Sequence, residues 1–369
     1  MASRRLRPGP GLGRRLLVTR ALLVMVGLLL GTGRARADRN DLRLINLCDT
    51  SAGNGCGWVT RTPAMGTTQP RTSVMLDSGA NTRFRSLMSE LGVAVAPRLQ
   101  TPADTLGFAG VQLSADVDVT QISSGKSFWN GVEGVQPNNP NLARPPSWLT
   151  TVGGFIRKGL PAPIPSIELG AGAVNVLQSG MWALEGYVKV ALHEGFHELP
   201  LPSLAVRAGI SDLLGTDQVT LRVVSLDAVV SKGFGIAGTW RLEPYLGWDA
   251  LLISAQSGTV DATPDCDAAT VNATNPANAA AVAALPRSCQ SQVGTPADFG
   301  ANFRFPSQTV ITRSRWFGGA KLKLWKLFLV GQFAWTTAGG SRDSKTAMGA
   351  ADDQSGSQKA LSLSAGFDL

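Results

Sequence analysis

The sequence predicts an all-β fold: a transmembrane antiparallel β-barrel of ten strands behind a small irregular or helical N-terminal segment. Three observations carry this. First, from Pro165 to Leu369 the chain repeatedly alternates apolar and polar residues with period two. Trp182, Leu184, Val188, Val190 and Leu192 stand on one parity against Glu185, Lys189 and His193 on the other. Successive side chains of an extended strand point to opposite faces, so this is a strand with one greasy and one wet side. Second, the chain opens with what reads as a secretion signal. Third, no later stretch approaches the roughly 18 continuous apolar residues of a helical span, and in a bilayer only helices and closed barrels satisfy every backbone group.

Residues 1–37 have a basic start, an apolar run from Ala21 to Leu30, and small residues Ala35 and Ala37 set for cleavage before Asp38. The apolar run is short for a membrane helix, which favours a cleaved signal peptide. The formal net charge of +8 resides in this segment. It carries eight basic residues and no acid; taking them from the 34 Lys and Arg leaves 26, equal to the 26 Asp and Glu. A neutral remainder carries no electrostatic footprint for nucleic acid.

Residues 38–105 are irregular and rich in Gly, Pro, Thr and Asn. Phe84, Leu87, Met88 and Leu91 fall at helical spacing, although Leu91, Val93 and Val95 also alternate. A helix that packs at or plugs the periplasmic end is expected. Residues 106–369 form the barrel. The expected strands are Leu106–Thr120, Ser166–Leu177, Met181–His193, Ser203–Ser211, Gln218–Val230, Gly233–Arg241, Tyr245–Ala255, Thr309–Lys323, Leu327–Thr336 and Lys359–Leu369. A short helix is expected around Trp148–Arg157, a β-bulge near Val223–Val224, and a turn over Leu242–Pro244. Long loops fall at about 121–165, 256–308 and 337–358. Together with 194–202 and 231–232, these are placed on the outer side, and short turns on the periplasmic side, the usual asymmetry of such barrels. Twelve strands, one from the N-terminal segment and one from 121–165, are the alternative.

Aromatic placement agrees with a membrane barrel. Trp182, Tyr187, Trp240, Tyr245, Trp248, Trp316, Phe317, Trp325, Trp335 and Phe367 fall mainly near expected strand ends, at headgroup depth. The terminal strand, with Gly366, Phe367 and Leu369, is similar to the C-terminal signal read by the barrel assembly machinery, although that signal usually ends in an aromatic residue. In an exported chain the four cysteines are read as two disulfides, Cys48–Cys56 and Cys266–Cys289. Neither a metal nor a cofactor is expected.

Several stretches resemble the uncharacterised exported outer-membrane β-barrel proteins of myxobacterial type. They are Thr105-Leu106-Gly107-Phe108, Leu201 through Arg207 (LPSLAVR), Ser231 through Gly235 (SKGFG) and Gly238 through Trp248 (GTWRLEPYLGW). The resemblance covers the chain from about Thr105 onward. It implies an outer-membrane location, with outer-membrane lipid, the assembly machinery and other envelope proteins as partners, and implies no activity.

Chemistry has few places to reside. His193-Glu194-Gly195-Phe196-His197 spells H-E-x-x-H, which on a helix holds zinc. Here it ends a strand and runs into Pro200 and Pro202, and residues four apart on an extended chain lie about 13 Å from one another. A hydrolase at the outer mouth using His193, Glu194 and His197 is the remaining enzymatic reading. The inward parity carries more information: Arg207, Arg222, Arg241, Arg313, Arg315, Lys321 and Lys323 share it with Asp116, Asp118, Glu168, Glu185 and Asp249. A basic stripe there suits a narrow pore or a binding barrel for a small, anionic solute. A salt-bridged filling suits a structural or anchoring component of an envelope assembly. About eight strands are just filled by side chains and open channels need about 16–18, which argues against a general porin.

Overall fold

The computed structural model describes residues 38–48, 56–61, 71–76, 78–98, 100–108, 110–135, 144–160, 166–194, 201–260, 280, 302–344 and 350–369. The expected signal peptide lies outside them. Ten antiparallel strands close into a ring: β3 (Val111–Gln121), β4 (Trp148–Gly159), β5 (Ile167–Val176), β6 (Trp182–His193), β7 (Ser203–Leu214), β8 (Val219–Ser231), β10 (Trp240–Ser257), β11 (Ile311–Leu324), β12 (Leu327–Thr336) and β15 (Gln358–Asp368). The β10–β11 pairing, from Trp240↔Leu324 to Ile253↔Ile311, and the β15–β3 pairing leave no open edge in the ring. Ahead of it stand a hairpin, β1 (Cys56–Arg61) with β2 (Arg71–Leu76), and one helix, α1 (Ser78–Ala94). Short pieces β9 (Phe234–Ile236), β13 (Arg342–Asp343) and β14 (Ala351–Asp352) and two 3-10 helices, Leu44–Leu47 and Ser127–Gly131, complete the elements among the described residues.

The expected strand count is right, but two of its assignments are not. Trp148–Arg157, expected as a helix, is β4, with Leu149, Thr151 and Phe155 buried inside and Ile156 half exposed outside. Its β-branched Thr-Thr-Val run favours a strand, and the Gly-Gly pair that follows is poor helix material. Gly233–Arg241 is not a barrel strand; β9 there folds back only on Trp240–Leu242. The turn expected at Leu242–Pro244 is absent, because β10 runs straight through Pro244. On that side β9 pairs up to Leu242 and β8 begins at Tyr245, so the proline sits where no ladder partner is needed.

These corrections reverse the expected ends of β5 to β8. Connections 122–147, 258–310 and 337–357, with the tight turns 177–181 and 215–218, share one end, the long-loop end. The connections 160–166, 194–202, 232–239 and 325–326 share the other, where β15 finishes. The three long loops therefore stand together as expected, whereas 194–202 and the connection after Ser231 lie at the opposite end to the one expected. The β8 phase is unbroken from Val219 to Ser231, and the one register irregularity is at Ala191/His193 between β6 and β7.

The interior is chemically divided along the barrel axis. At the long-loop end Val174, Val176, Val219, Leu221, Val223, Leu251, Ile253 and Ile311 point inward and pack with Phe84, Leu87, Met88 and Leu91 of α1. A Cβ on Gly92 would meet Ile253 atoms at 2.8 Å, so glycine lets the helix seat against the wall. Valine on both faces of Val223–Val224 follows from this apolar packing, and no bulge is required. Toward the short-turn end the inward side chains become charged. Helix α1 thus packs at the long-loop end of the ring. From the end of α1 the chain passes through the lumen to emerge at the short-turn end, where β3 begins.

Candidate functional site

The strap formed by residues 95–106 is the organising element of the charged half. It makes no ladder with the wall; it is held by side chains from nearly every strand around it. Val95 carbonyl accepts from Ser211 (2.7 Å) and Pro97 carbonyl from Arg315 Nη2 (3.1 Å). The Arg98 backbone N–H donates to Glu185 Oε2 (2.8 Å), and its guanidinium pairs with Asp118 and donates to Thr151 Oγ1 (2.6 Å). Gln100 donates to both Asp118 oxygens at 3.1 and 3.2 Å. Arg207 reaches Thr101 Oγ1 at 2.7 Å, and Lys189 Nζ reaches the carbonyls of Pro102 and Asp104 at 3.3 and 2.9 Å. The N–H groups of Ala103, Thr105 and Leu106 donate to Ser231, Glu194 and Glu168 at 3.0, 2.9 and 3.0 Å.

The wall completes the pairing between its own strands. Arg207 also binds both oxygens of Asp227 at 3.1 and 2.9 Å, and Arg315 approaches Asp249 at 2.6 Å. Lys189 lies 3.1 Å from Glu168, which also accepts from Tyr187 Oη at 2.7 Å. Arg157 donates to Gln112 (2.7 Å) and Ser114 (3.2 Å). Asp116 stands apart: it is buried, and neither carboxylate oxygen has a hydrogen-bond partner among the described residues.

The inward parity expected for Asp116, Asp118, Glu185, Arg207, Asp249, Arg313, Arg315 and Lys321 is seen, and Lys323 and Arg241 follow it at the short-turn mouth. Arg222 does not. It faces outward near the long-loop end, paired with the outward Asp212 at 2.6 and 3.1 Å, because the expected phase slip is absent. Tyr187, Tyr245 and Phe317, expected at headgroup depth, are buried inside; Tyr245 donates to Gln332 at 2.9 Å. The four basic residues of β11 do not form one stripe. Arg313 ties the cap, donating to Ser89, Ser355, Thr337 and Gly356; Arg315 ties the strap; Lys321 and Lys323 share Asp368 at the short-turn mouth.

The cap is built by the same logic. Glu90 of α1 accepts from Ser123 N, Gly356 N and Trp129 Nε1 at 2.8, 2.9 and 2.7 Å. Arg85 donates to Thr309 O and Ser341 Oγ at 3.0 and 2.8 Å. Burial lowers the Arg85 pKa, opposed by Asp353, Asp343 and Asp352, and a guanidinium stays charged regardless. Two of the candidate hydrolase residues are among the described residues. His193 ends β6 at the short-turn end, Glu194 is bound to the Thr105 N–H and hydroxyl, and His197 lies outside the described residues. Cys48 packs against the apolar core; the side chain of Cys56, and all of Cys266 and Cys289, lie outside the described residues.

No family model and no curated protein matches the sequence. Similar solved structures include Neisserial surface protein A (NspA), at 9% identity and TM-score 0.24, covering 70% of this chain and 96% of that one. Ail of Yersinia pestis follows at 7% and 0.24, covering 71% and 99%. Outer membrane protease OmpT from Escherichia coli follows at 8% and 0.28, covering 74% and 98%. At these TM-scores the likenesses carry no argument; the closed ring is read from the strand pairing itself.

Neither Arg98 nor the strap was visible to a pattern search, since an irregular strand-free segment has no period. The one available signal was the set of inward carboxylates on β3 and β6, which needs a cation. Replacing Arg98 by Gln leaves Asp118 and Glu185 buried without their counter-charge, a loss of about 3–5 kcal/mol. Arg222→Gln, at an exposed pair, leaves stability unchanged. Urea unfolding of the two refolded variants beside the parent chain measures the contrast.

Proposed function

We propose that the chain is an outer-membrane anchor: a sealed barrel that holds its own N-terminal cap and long loops at one membrane face. The observation that carries this reading is the strap. It enters the lumen from α1 at the long-loop end, leaves at the short-turn end, and uses up the inward charges that a permeation path would need. Asp118, Glu185, Lys189, Arg207 and Arg315 all bond to it. Of the two functions weighed from the sequence, a filled interior supports anchoring over a narrow pore.

The outward face supports a membrane setting. Trp248, Trp316 and Trp335 are register neighbours on β10, β11 and β12, and Lys359 of β15 continues the row. Eight residues along each strand toward the short-turn end stand Trp240, Leu324 and Leu327, with Trp325 in the adjoining turn. Between the tiers Leu246, Leu322, Leu329 and Phe333 face outward, and Leu246, Leu329 and Phe333 are among the exposed large apolar side chains. Eight residues of strand rise roughly 26 Å, or about 20 Å once tilted, close to the apolar height of an outer-membrane barrel. A cleaved signal peptide, insertion by the barrel assembly machinery, envelope partners at the long-loop face, and disulfides Cys48–Cys56 and Cys266–Cys289 belong to the same proposal.

Two outcomes test it. The refolded full chain is expected to be electrically silent in planar bilayers; steady single-channel conductance contradicts a sealed anchor. Leu329→Arg, an outward substitution in the middle of the apolar band, is expected to destabilise the protein in phospholipid vesicles by about 2–4 kcal/mol. An unchanged folding free energy there contradicts a lipid-facing surface.

A further inference from the structure

The strap crosses the lumen but does not fill it to the short-turn mouth. Beneath Thr101–Leu106 lies a cavity of about 620 Å³ that opens to that end. This is the size of a small-molecule site, lined by strand residues of β3, β5, β6, β10, β11 and β15 together with the strap and the turn residues at the mouth. Strap residues Thr101, Pro102, Asp104, Thr105 and Leu106 form its inner wall, which makes it a vestibule of the short-turn mouth.

Its charges are unevenly used. On the β10 side Arg241 is consumed by two carboxylates, Asp104 at 3.0 Å and Glu243 in direct contact. Deeper in, Lys189 and Glu168 are a closed pair. At the β11–β12 corner the balance is reversed. Lys321 and Lys323 both lean on one oxygen of Asp368, at 3.2 and 2.7 Å, while the other oxygen accepts from Gln112 at 2.6 Å. Lys326, in the following turn, also lines the cavity, and no ion pair of it is seen among the described residues. Three lysines thus line the corner beside Asp368 and Glu243, the register partner of Lys321, and Glu243 is already shared with Arg241. Each ammonium has three donors, so several remain for an outside acceptor. Lys321 is built into the wall, its side chain 9% exposed and its Nζ 4.7 Å from the Phe328 ring centroid; Lys323 is 35% exposed at the mouth. Trp325, 83% exposed with φ +53°, is held over the same corner by a left-handed turn.

We infer that this corner binds the carboxylate or phosphate of a small polar solute entering from the short-turn side. Its body lies beneath Trp325, and its hydroxyl or amino groups face Asp104 and Glu243. Lysine ammonium groups preorganised in a concave site concentrate such anions, and charge-assisted contacts are the strong ones. The site is independent of the anchoring role: it needs the vestibule, whether or not the long-loop face has a partner.

The test is titration of the refolded full chain with gluconate, with sorbitol as the uncharged control and inorganic phosphate as competitor. Trp325 fluorescence is the readout, and W325F supplies the background of the other tryptophans. Gluconate is expected to bind saturably while sorbitol does not. The double variant K323Q/K326Q, which alters only groups at the mouth, is expected to weaken binding by about tenfold or more, the equivalent of roughly 1.4 kcal/mol. Displacement by phosphate assigns the site to oxyanions generally; resistance to phosphate assigns it to carboxylates. Absence of saturation with gluconate, equal binding of sorbitol, or undiminished affinity in a K323Q/K326Q protein that melts like the parent overturns the inference.

Discussion

Charge neutralisation inside a closed ring is the constraint on which the rest of this structure depends. Once ten strands pair edge to edge, every second residue is committed to the lumen, and on β3, β5, β6, β7, β8, β10 and β11 those residues include acids and bases. Such groups are too deep to be solvated freely and too far apart to neutralise one another completely. An unpaired buried charge costs several kcal/mol, so the lumen must either fill with water or receive a partner. The chain supplies its own. Arg98 answers Asp118 and Glu185 at once, and the strap carbonyls answer Lys189 and Arg315.

The division of the interior explains how an irregular segment keeps its register there. At the long-loop end, α1 is seated by apolar packing, a non-directional force that fixes position along the barrel axis. At the other end Glu194 and Glu168 hold the N–H groups of Thr105 and Leu106 as the chain turns into β3. Between these two points the strap is pinned by charged side chains whose geometry is directional. The helix, the strap and the first strand therefore form one continuous tether through the ring, and the cap cannot leave without withdrawing the strap. The strap that crosses the lumen also lines the vestibule below it, so the tether and the pocket have a common origin.

The barrel was legible because period two survives wherever the two faces differ in polarity. On β3, β6, β11 and β12 lipid-like and lumen-like residues alternate cleanly. Where the inner face is itself apolar the signal is ambiguous, which is why Val223–Val224 suggested a slip and carried Arg222 to the wrong side. β4 escaped notice because its glycines and threonines give little contrast between faces, and Pro244 suggested an ending because a strand proline is tolerated only opposite a gap in the ladder. The omission of β4 and the surplus strand over Gly233–Arg241 cancel in the count, though not in the direction of the strands between them. The strap left no trace, since its role is set by long-range partners and not by any local period; its inward partners were named, but their counter-charge was not.

Amide hydrogen exchange across residues 95–106 is the most direct measure of whether the strap is seated in the lumen. The N–H groups of Arg98, Ala103, Thr105 and Leu106 are bonded to wall side chains away from solvent, although they belong to no helix or strand. The account predicts protection comparable to that of the neighbouring strands, lost only when the barrel as a whole unfolds. Exchange at the rate of an exposed loop, with the strands still protected, would contradict it.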